Sequence, residues 1–476
     1  MRKQLNDFIN RARAGTAGAM GGDSAASSKS TSHRAGTAAA ATDARKMDKA
    51  HMPIGDIQAY YDSGSRNFWT RNARGEWIPF TESAIRRMLK LENFNHIPIK
   101  EDQTRSIEQA LLALQKQHDV SYAGPIAGYR IGFHEICGQR VLVTSGPQLL
   151  TAKEGNWSTF RTFVEQLLGD QARVFYGWIK AALRSLYSGP PWVPGQMLAL
   201  AGPSGCGKSL LQNLITELLG NRSAKPYKYM TGDTDFNHDL ICNEHLMIED
   251  EAASTDVRLR RHFGSQLKNM VVNEVQRLRR MRLDALSVTP FWRITISLND
   301  EPENLAVLPP IDESLKDKIT LLRAFPIKPP YKAEDIKARN AWRARLSAEL
   351  PAFMFWLRSF RVPAASVNVR YGVNSYQEPT LVEALQDLSP ERRLINLIDA
   401  LYIWGVDRLP WSGTASELEE RLLEKDKLGR VSRLLYYHGA CGTYLSRLES
   451  QSGDRISSKK APSQSRRYTI IPPTKE

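Results

Sequence analysis

An α/β core, preceded by a small α+β unit and followed by a helical, winged C-terminal region, is the architecture this sequence predicts. Three observations predict it. Residues 196–220, QMLALAGPSGCGKSLLQNLITELLG, read as strand, glycine loop and helix. EHLMIEDEAAS (244–254) places three acids directly after an apolar strand. FWRITISLNDEPEN (291–304) places Asn299 at the end of a second one. Two strands whose polar ends follow a strand–loop–helix unit make the middle of the chain the chemical part.

The elements follow in chain order. Residues 1–50 form a low-complexity tail, and 12–50 are so rich in Ala, Gly, Ser and Thr that they lack the apolar side chains needed to offset ordering entropy. An α+β accessory domain is expected over 51–150. Phe68, Trp69 and Trp77 flank the turn-like NARG (72–75), and TESAIRRMLK (81–90) reads as a helix with Thr81 as its N-cap. Residues 126–148 alternate like a β-ribbon. The core domain is expected over 151–365. It opens with helical apolar spacing over 157–187, which Pro190, Pro191 and Pro194 terminate. Over 366–476, PERRLINLIDALYIW, TASELEERLLEK and RVSRLLYYHGACGTYLSRLESQSG read as helices, and RISSKKAPSQSRRYTIIP alternates into a strand after a basic loop. Three helices with a β-wing make a winged helix.

Composition limits the partners. The chain has 476 residues, 42% hydrophobic and 24% charged, with a formal net charge of +14. A basic excess of this size favours polyanions, nucleic acid first. The cysteines (137, 206, 242 and 441) form no C-x-x-C pair, so neither a zinc ribbon nor a disulfide framework is indicated, and a reducing cytoplasm fits. No apolar run is long enough for a membrane span. The N-terminus lacks the apolar core of a secretory signal.

GPSGCGKS (202–209) fits the phosphate-loop pattern G-x-x-x-x-G-K-[ST] in full, in the strand-to-helix setting that the pattern requires. In such a loop successive backbone N–H groups and the helix N-terminus surround nucleotide phosphates. Gly202, Pro203, Ser204, Gly205, Cys206, Gly207, Lys208 and Ser209 are therefore the expected ATP-binding residues. Lys208 reaches the β- and γ-phosphates and the Ser209 hydroxyl binds Mg²⁺. Adjacent acids after an apolar strand are costly unless a cation or water neutralises them. Asp250 is assigned to the metal through water, with either Glu249 or Glu251 polarising the attacking water. Asn299 at a neighbouring strand tip holds that water or senses the γ-phosphate.

Loop, acidic strand end and strand-tip Asn within one compact stretch resemble superfamily 3 helicases, the AAA+-related group of viral, phage and plasmid replication proteins. YKYMTGDTDFN, LMIEDEAAS and SLNDEPENLAVLPPID look more narrowly like the helicase domain of phage primase-helicases, including those whose helicase accompanies a primase-polymerase. The helicase resemblance covers roughly 155–360 and a weaker one about 55–150. It implies an AAA+-like P-loop NTPase core. It also implies a basic hairpin between acid and Asn, matched by SQLKNMVVNEVQRLRRMRLDALSVTPFW (265–292). Lys268 matches the hairpin's leading Lys, and Arg277, Arg279, Arg280 and Arg282 crowd its expected tip. The family's trans-acting arginine belongs in a segment that is DESLKDKITLLRAF (312–325) here. Lys316 and Lys318 stand where arginine is sought and Arg323 is its one Arg; lysine lacks the planar fork. No D-x-D metal pair or zinc-binding cysteine set precedes residue 200, so primer synthesis by this chain is not expected.

The resemblance implies a ring, usually a hexamer, with basic hairpins in a central channel touching the phosphates of one strand. The winged region offers a second contact, with Arg447 on its recognition helix and Lys459, Lys460, Arg466 and Arg467 in its wing. The expected function is an ATP-dependent DNA helicase, using ATP and Mg²⁺ on single-stranded and forked DNA. It serves replication of a phage or mobile element in a bacterial cytoplasm, beside a separate primase or polymerase. Two other readings are a DNA-binding NTPase switch, such as an initiator or loader, and a defence or packaging ATPase.

Overall fold

The computed structural model describes residues 58–91, 94, 106–249, 257–280, 283–309, 311–332, 334–387, 389–401, 403, 409–451, 454–459 and 465–473. The chain divides into two units, Met1–Gln58 and Ala59–Glu476. The expected tail lies outside the described residues, and everything below concerns the second unit.

That unit opens with β1 (Ala59–Asp62), β2 (Asn67–Arg71), β3 (Trp77–Phe80), α1 (Glu82–Leu91), α2 (Ser106–Gln117) and β4 (Asp119–Val120). These strands form a sheet in the order β3-β2-β1-β4, with the NARG turn between β2 and β3. Thr81 does not cap α1 as expected: its hydroxyl lies 3.0 Å from that of Ser83, and its carbonyl accepts from Ala84 and Ile85. The expected ribbon is a small sheet of β5 (Tyr122–Gly124), β6 (Gly132–Ile136) and β7 (Gln139–Val143), in which β6 and β7 form a hairpin.

After α3 (Ser158–Leu168) and α4 (Ala172–Ser188) comes the central sheet. Its strands are β8 (Met197–Ala201), β9 (Ser223–Ala224), β10 (His245–Ile248), β13 (Arg293–Leu298) and β14 (Ile319–Arg323). They are parallel throughout, in the order β14-β8-β13-β10-β9. Between them lie α5 (Lys208–Leu218), α6 (Tyr227–Thr231), α7 (His238–Ile241), α8 (Val257–Val272), the hairpin strands β11 (Gln276–Leu278) and β12 (Leu286–Val288), and α9 (Pro302–Leu305). Every residue of β8, β10 and β13 is buried, as parallel strands covered on both faces require. The strand period of two divides β8 between two cores. Leu198 and Leu200 join Phe160, Phe163 and Leu211 on one face, while Met197, Ala199 and Ala201 join Leu246, Phe263 and Leu267 on the other.

The core does not stop at residue 150 or 365. Tyr122, Ile126 and Val143 belong to the same apolar cluster as Met197 and Ile296, and so do Tyr371 and Leu385. A buried ion pair fastens the N-terminal part to the sheet. Arg222 grips the fully buried Glu244 through Nε at 2.8 Å and through a second, shorter bond, and the Gly128 N–H adds a third at 2.7 Å.

The long α10 (Ile336–Ser359), α11 (Pro379–Asp387) and α12 (Pro390–Ala400) lead to the C-terminal part. There β15 (Trp411–Thr414), α13 (Ala415–Lys425), α14 (Arg430–Leu434), α15 (Ala440–Gln451), β16 (Ile456–Lys459) and β17 (Arg467–Ile470) enclose a separate core that includes Leu394, Leu418, Leu445 and Ile470. The sheet is antiparallel, β15-β17-β16, and Thr414 and Glu417 form a reciprocal capping box on α13. Among the described residues no helix is long and apolar enough to cross a membrane.

Candidate nucleotide site and basic hairpin

The glycine loop leaves the carboxyl end of β8, where open α/β sheets characteristically bind ligands. Two glycines are sterically required. A Cβ on Gly202 would fall 2.2 Å from the Ala324 carbonyl oxygen. Gly207 has φ +112 and abuts Phe163 and Ile327, so a side chain there would be strained whatever the space. Lys208 opens α5 and is only 8% exposed. A buried ammonium must be hydrogen-bonded. It donates to the carbonyls of Gly202 at 2.6 Å and Pro203 at 2.8 Å, and to Oδ1 of Asn299 at 3.3 Å. Cys206 is buried beneath it, Pro203 and Ser209 are half-buried, and Ser204 and Gly205 are exposed.

The neighbouring strands bring the other polar ends to the same edge. Asn299 and Asp300 follow β13, the strand beside β8, and Glu249 follows β10, one strand further on. Asp250 and Glu251 lie outside the described residues. Glu301 is a carboxylate that motif reasoning passed over. Its own backbone N–H and the Asn304 amide hold its pKa below the usual carboxylate range, and Lys208 adds to the effect. Its signal in the sequence is the acid cluster DEPE (300–303) directly after Asn299. Arg323 ends β14 on the far side of β8. Its backbone N–H donates to Gln171 Oε1 at 2.9 Å; its guanidinium donates to Thr380 at 2.9 Å and lies 3.7 Å from the Asp300 carboxylate. The one arginine of the expected finger segment therefore meets its own chain's strand-end cluster. Lys316 is exposed beside Glu313, and Lys318 pairs with Asp317.

Beneath the edge runs a buried polar relay. Gln212 of α5 donates to Thr295 of β13 at 2.8 Å and to the Ile248 carbonyl at 3.3 Å. His245 of β10 lies 2.8 Å from Thr295 Oγ1 and 2.6 Å from Thr216 Oγ1 of α5. Burial pushes the His245 pKa down to about 3, so the ring is neutral at physiological pH. The relay ties the loop's helix to both strands that end in candidate polar groups. Lys208, Gln212 and Thr216 recur at i, i+4 on one helix face, and that spacing was its readable signal.

The basic residues meet different fates. Lys268 is half-buried on α8, and β11 and β12 pair antiparallel as the hairpin. Arg277 and Arg279 are exposed, Arg279 lying 3.5 Å from the Asp235 carboxylate. Arg280, directly after β11, is half-buried. Its guanidinium lies over the ring of Tyr122 in β5, 4.9 Å from the centroid. Arg282 and Lys460 lie outside the described residues. In the C-terminal part Arg447 pairs with the buried Glu391 at 2.7 Å. Arg466 pairs with Glu449 at 2.8 Å, and Arg467 lies 3.6 Å from Glu417. Lys459 is exposed.

Residues 200–314, the stretch from glycine loop to strand-tip Asn and beyond, match a family of unknown function (DUF5906). No curated protein matches the chain. Among solved structures the chain is similar to the apo C-terminal region of NrS-1, at 12% identity over 90% of this chain and 98% of that one, with a TM-score of 0.49. It is also similar to SCCmec type IV Cch, described as an active helicase, at 12% identity over 83% and 70% of the two chains and a TM-score of 0.29. JCV helicase matches at 13% identity over 52% of this chain and 65% of that one, with a TM-score of 0.28.

Proposed function

We propose that this chain is an ATP-dependent DNA helicase of superfamily 3 type, with an AAA+-like P-loop core, acting in replication of a phage or mobile element. One observation carries the reading: the Lys208 ammonium of a strand-end glycine loop lies 3.3 Å from the amide oxygen of Asn299, on the adjacent parallel strand. Two motifs far apart in sequence thus share one point in space, as a γ-phosphate site needs.

The residues fit ATP and Mg²⁺. The loop carries glycines at φ +71 and +112, the permissive backbone a phosphate cradle needs, and Lys208 supplies the positive charge. Residues 202–209 would hold the phosphates, and Ser209 with Asp250 would hold the metal, which when bound would offset charge on the transferred phosphoryl oxygens. Glu249 or Glu251 accepts a proton from the attacking water, Asn299 orients that water, and Arg323 acts in cis through the Asp300 cluster. Lys268, Arg277 and Arg279 contact backbone phosphates of a single strand. Assembly is a ring, with six copies the expected number, working beside a separate primase or polymerase. The accessory, core and winged parts are assigned to 51–150, 151–365 and 366–476, with one apolar cluster running across both boundaries.

The test is ATP hydrolysis with and without single-stranded DNA, beside strand displacement on a forked duplex. Lys208→Ala should lower hydrolysis about 100-fold or more and abolish displacement. Hydrolysis without displacement favours the initiator or loader switch. Hydrolysis independent of Lys208 overturns the site assignment.

A further inference from the structure

Asn237 sits where a helix N-cap belongs, just ahead of α7, and asparagine is among the best capping residues. Its side chain does not cap the helix. It is 1% exposed and points across to the hairpin instead. Nδ2 donates to the Arg277 carbonyl at 2.8 Å, and Oδ1 accepts from the Arg279 N–H at 2.8 Å. Both partners are backbone groups of fixed polarity, so the amide orientation is unambiguous. Among the described residues β11 pairs only with β12, and Asn237 occupies its other edge as a third strand would.

The same short segment is bonded to the strands of the nucleotide site. α7 runs through Cys242–Glu244 straight into β10, whose far end leads to Glu249. The Leu240 carbonyl accepts from the Trp292 indole at 2.9 Å, and Trp292 immediately precedes β13, whose far end leads to Asn299. The Ile241 carbonyl accepts from the Ala127 N–H at 2.7 Å, fixing the segment from a third side. Asn237 is the contact through which this rigid piece reaches the hairpin backbone between two exposed arginines.

We infer that Asn237 is a positioning residue coupling the basic hairpin to the nucleotide site, by gripping β11 on the segment that leads into β10 and is bonded to the root of β13. The inference rests on the helicase reading above. A displacement of either strand on hydrolysis is passed to the Arg277–Arg279 backbone, and DNA held by those arginines biases the strands in return, since such coupling is reciprocal.

The experiment compares wild type, Asn237→Leu and Asn237→Asp. Leu keeps the volume and loses both bonds; Asp keeps the acceptor and loses the donor. Hydrolysis without DNA should stay within about twofold of wild type, while its stimulation by single-stranded DNA falls about fivefold or more in Asn237→Leu and less in Asn237→Asp. Unchanged stimulation overturns the inference. So does a parallel fall of basal and stimulated rates, which a merely structural role would give. Wild type lacking Lys208-dependent, DNA-stimulated hydrolysis instead overturns the helicase reading itself. Should the variants not fold, hydrogen exchange of the wild-type Arg279 amide decides. A change in protection on adding Mg-ATP supports coupling, and identical exchange refutes it.

Discussion

The edge of the central sheet and the C-terminal part carry two of the sets of residues that the sequence marks as functional, and Lys208 in the one and the arginines in the other use charge in opposite ways. At the sheet edge Lys208 is buried against loop carbonyls and an amide, with no carboxylate within salt-bridge distance among its described contacts. In the C-terminal part Arg447, Arg466 and Arg467 each face a glutamate. A cation satisfied by neutral dipoles keeps its charge available to an anionic ligand; one matched to a carboxylate has much of its field cancelled. The comparison teaches that a basic residue's function depends on its neighbours more than on local basic density.

The largest expected effect, after loss of hydrolysis in Lys208→Ala, is on stability. Glu244→Ala removes the partner of Arg222 and of the Gly128 N–H at a fully buried position. Breaking one side of a buried pair costs about 3–5 kcal/mol. A urea midpoint unchanged from wild type would mean the N-terminal part is not fastened at this point.

Next comes pH. His245 is neutral when folded, with its pKa lowered to about 3 by burial. Unfolding lets it protonate near its ordinary value, so the unfolded state binds more protons between those two limits. Stability from this group is complete above the unfolded pKa and falls by about 1.4 kcal/mol per pH unit below it. His245→Asn should flatten the dependence of the urea midpoint on pH between 6 and 5. An equally steep slope in the variant would place the acid sensitivity elsewhere.

The same contrast explains what was legible in the sequence. The glycine loop was readable because close approach to Ala324 and a positive φ admit little but glycine at 202 and 207, so geometry leaves a trace in residue type. Asn299 was readable only by position: a polar residue at a strand exit is common, and this one gains weight from following the glycine loop and the acid-tipped strand in one compact stretch. The relay is legible only on its helix side, in the spacing of Gln212 and Thr216; Thr295 and His245 look like ordinary polar residues of buried strands, and only folding brings them to that face. The contact of Arg280 with the Tyr122 ring was not legible, because Tyr122 lies far away in sequence, in the N-terminal part. Glu391 and Glu449 lie near the arginines they neutralise in space, and nothing in the basic run around residue 460 signals them.

The smallest expected effect sharpens the comparison most. Arg447 is half-exposed but its partner Glu391 is buried, so Arg447→Ala should cost more than the about 0–1 kcal/mol of a wholly exposed pair, and its urea midpoint is measured first. Its effect on DNA affinity is then informative. Neutralising the partner in Glu391→Gln frees the Arg447 guanidinium without moving it far. If the winged part binds DNA through Arg447, Glu391→Gln should tighten binding to duplex DNA by roughly two- to fivefold at low salt, and steepen its salt dependence by about one counterion. Arg447→Ala should reverse that gain in the double variant. If affinity responds to neither change while Arg277 and Arg279 substitutions weaken it, the winged part's arginines are structural, its glutamates their permanent partners, and DNA is held at the hairpin alone.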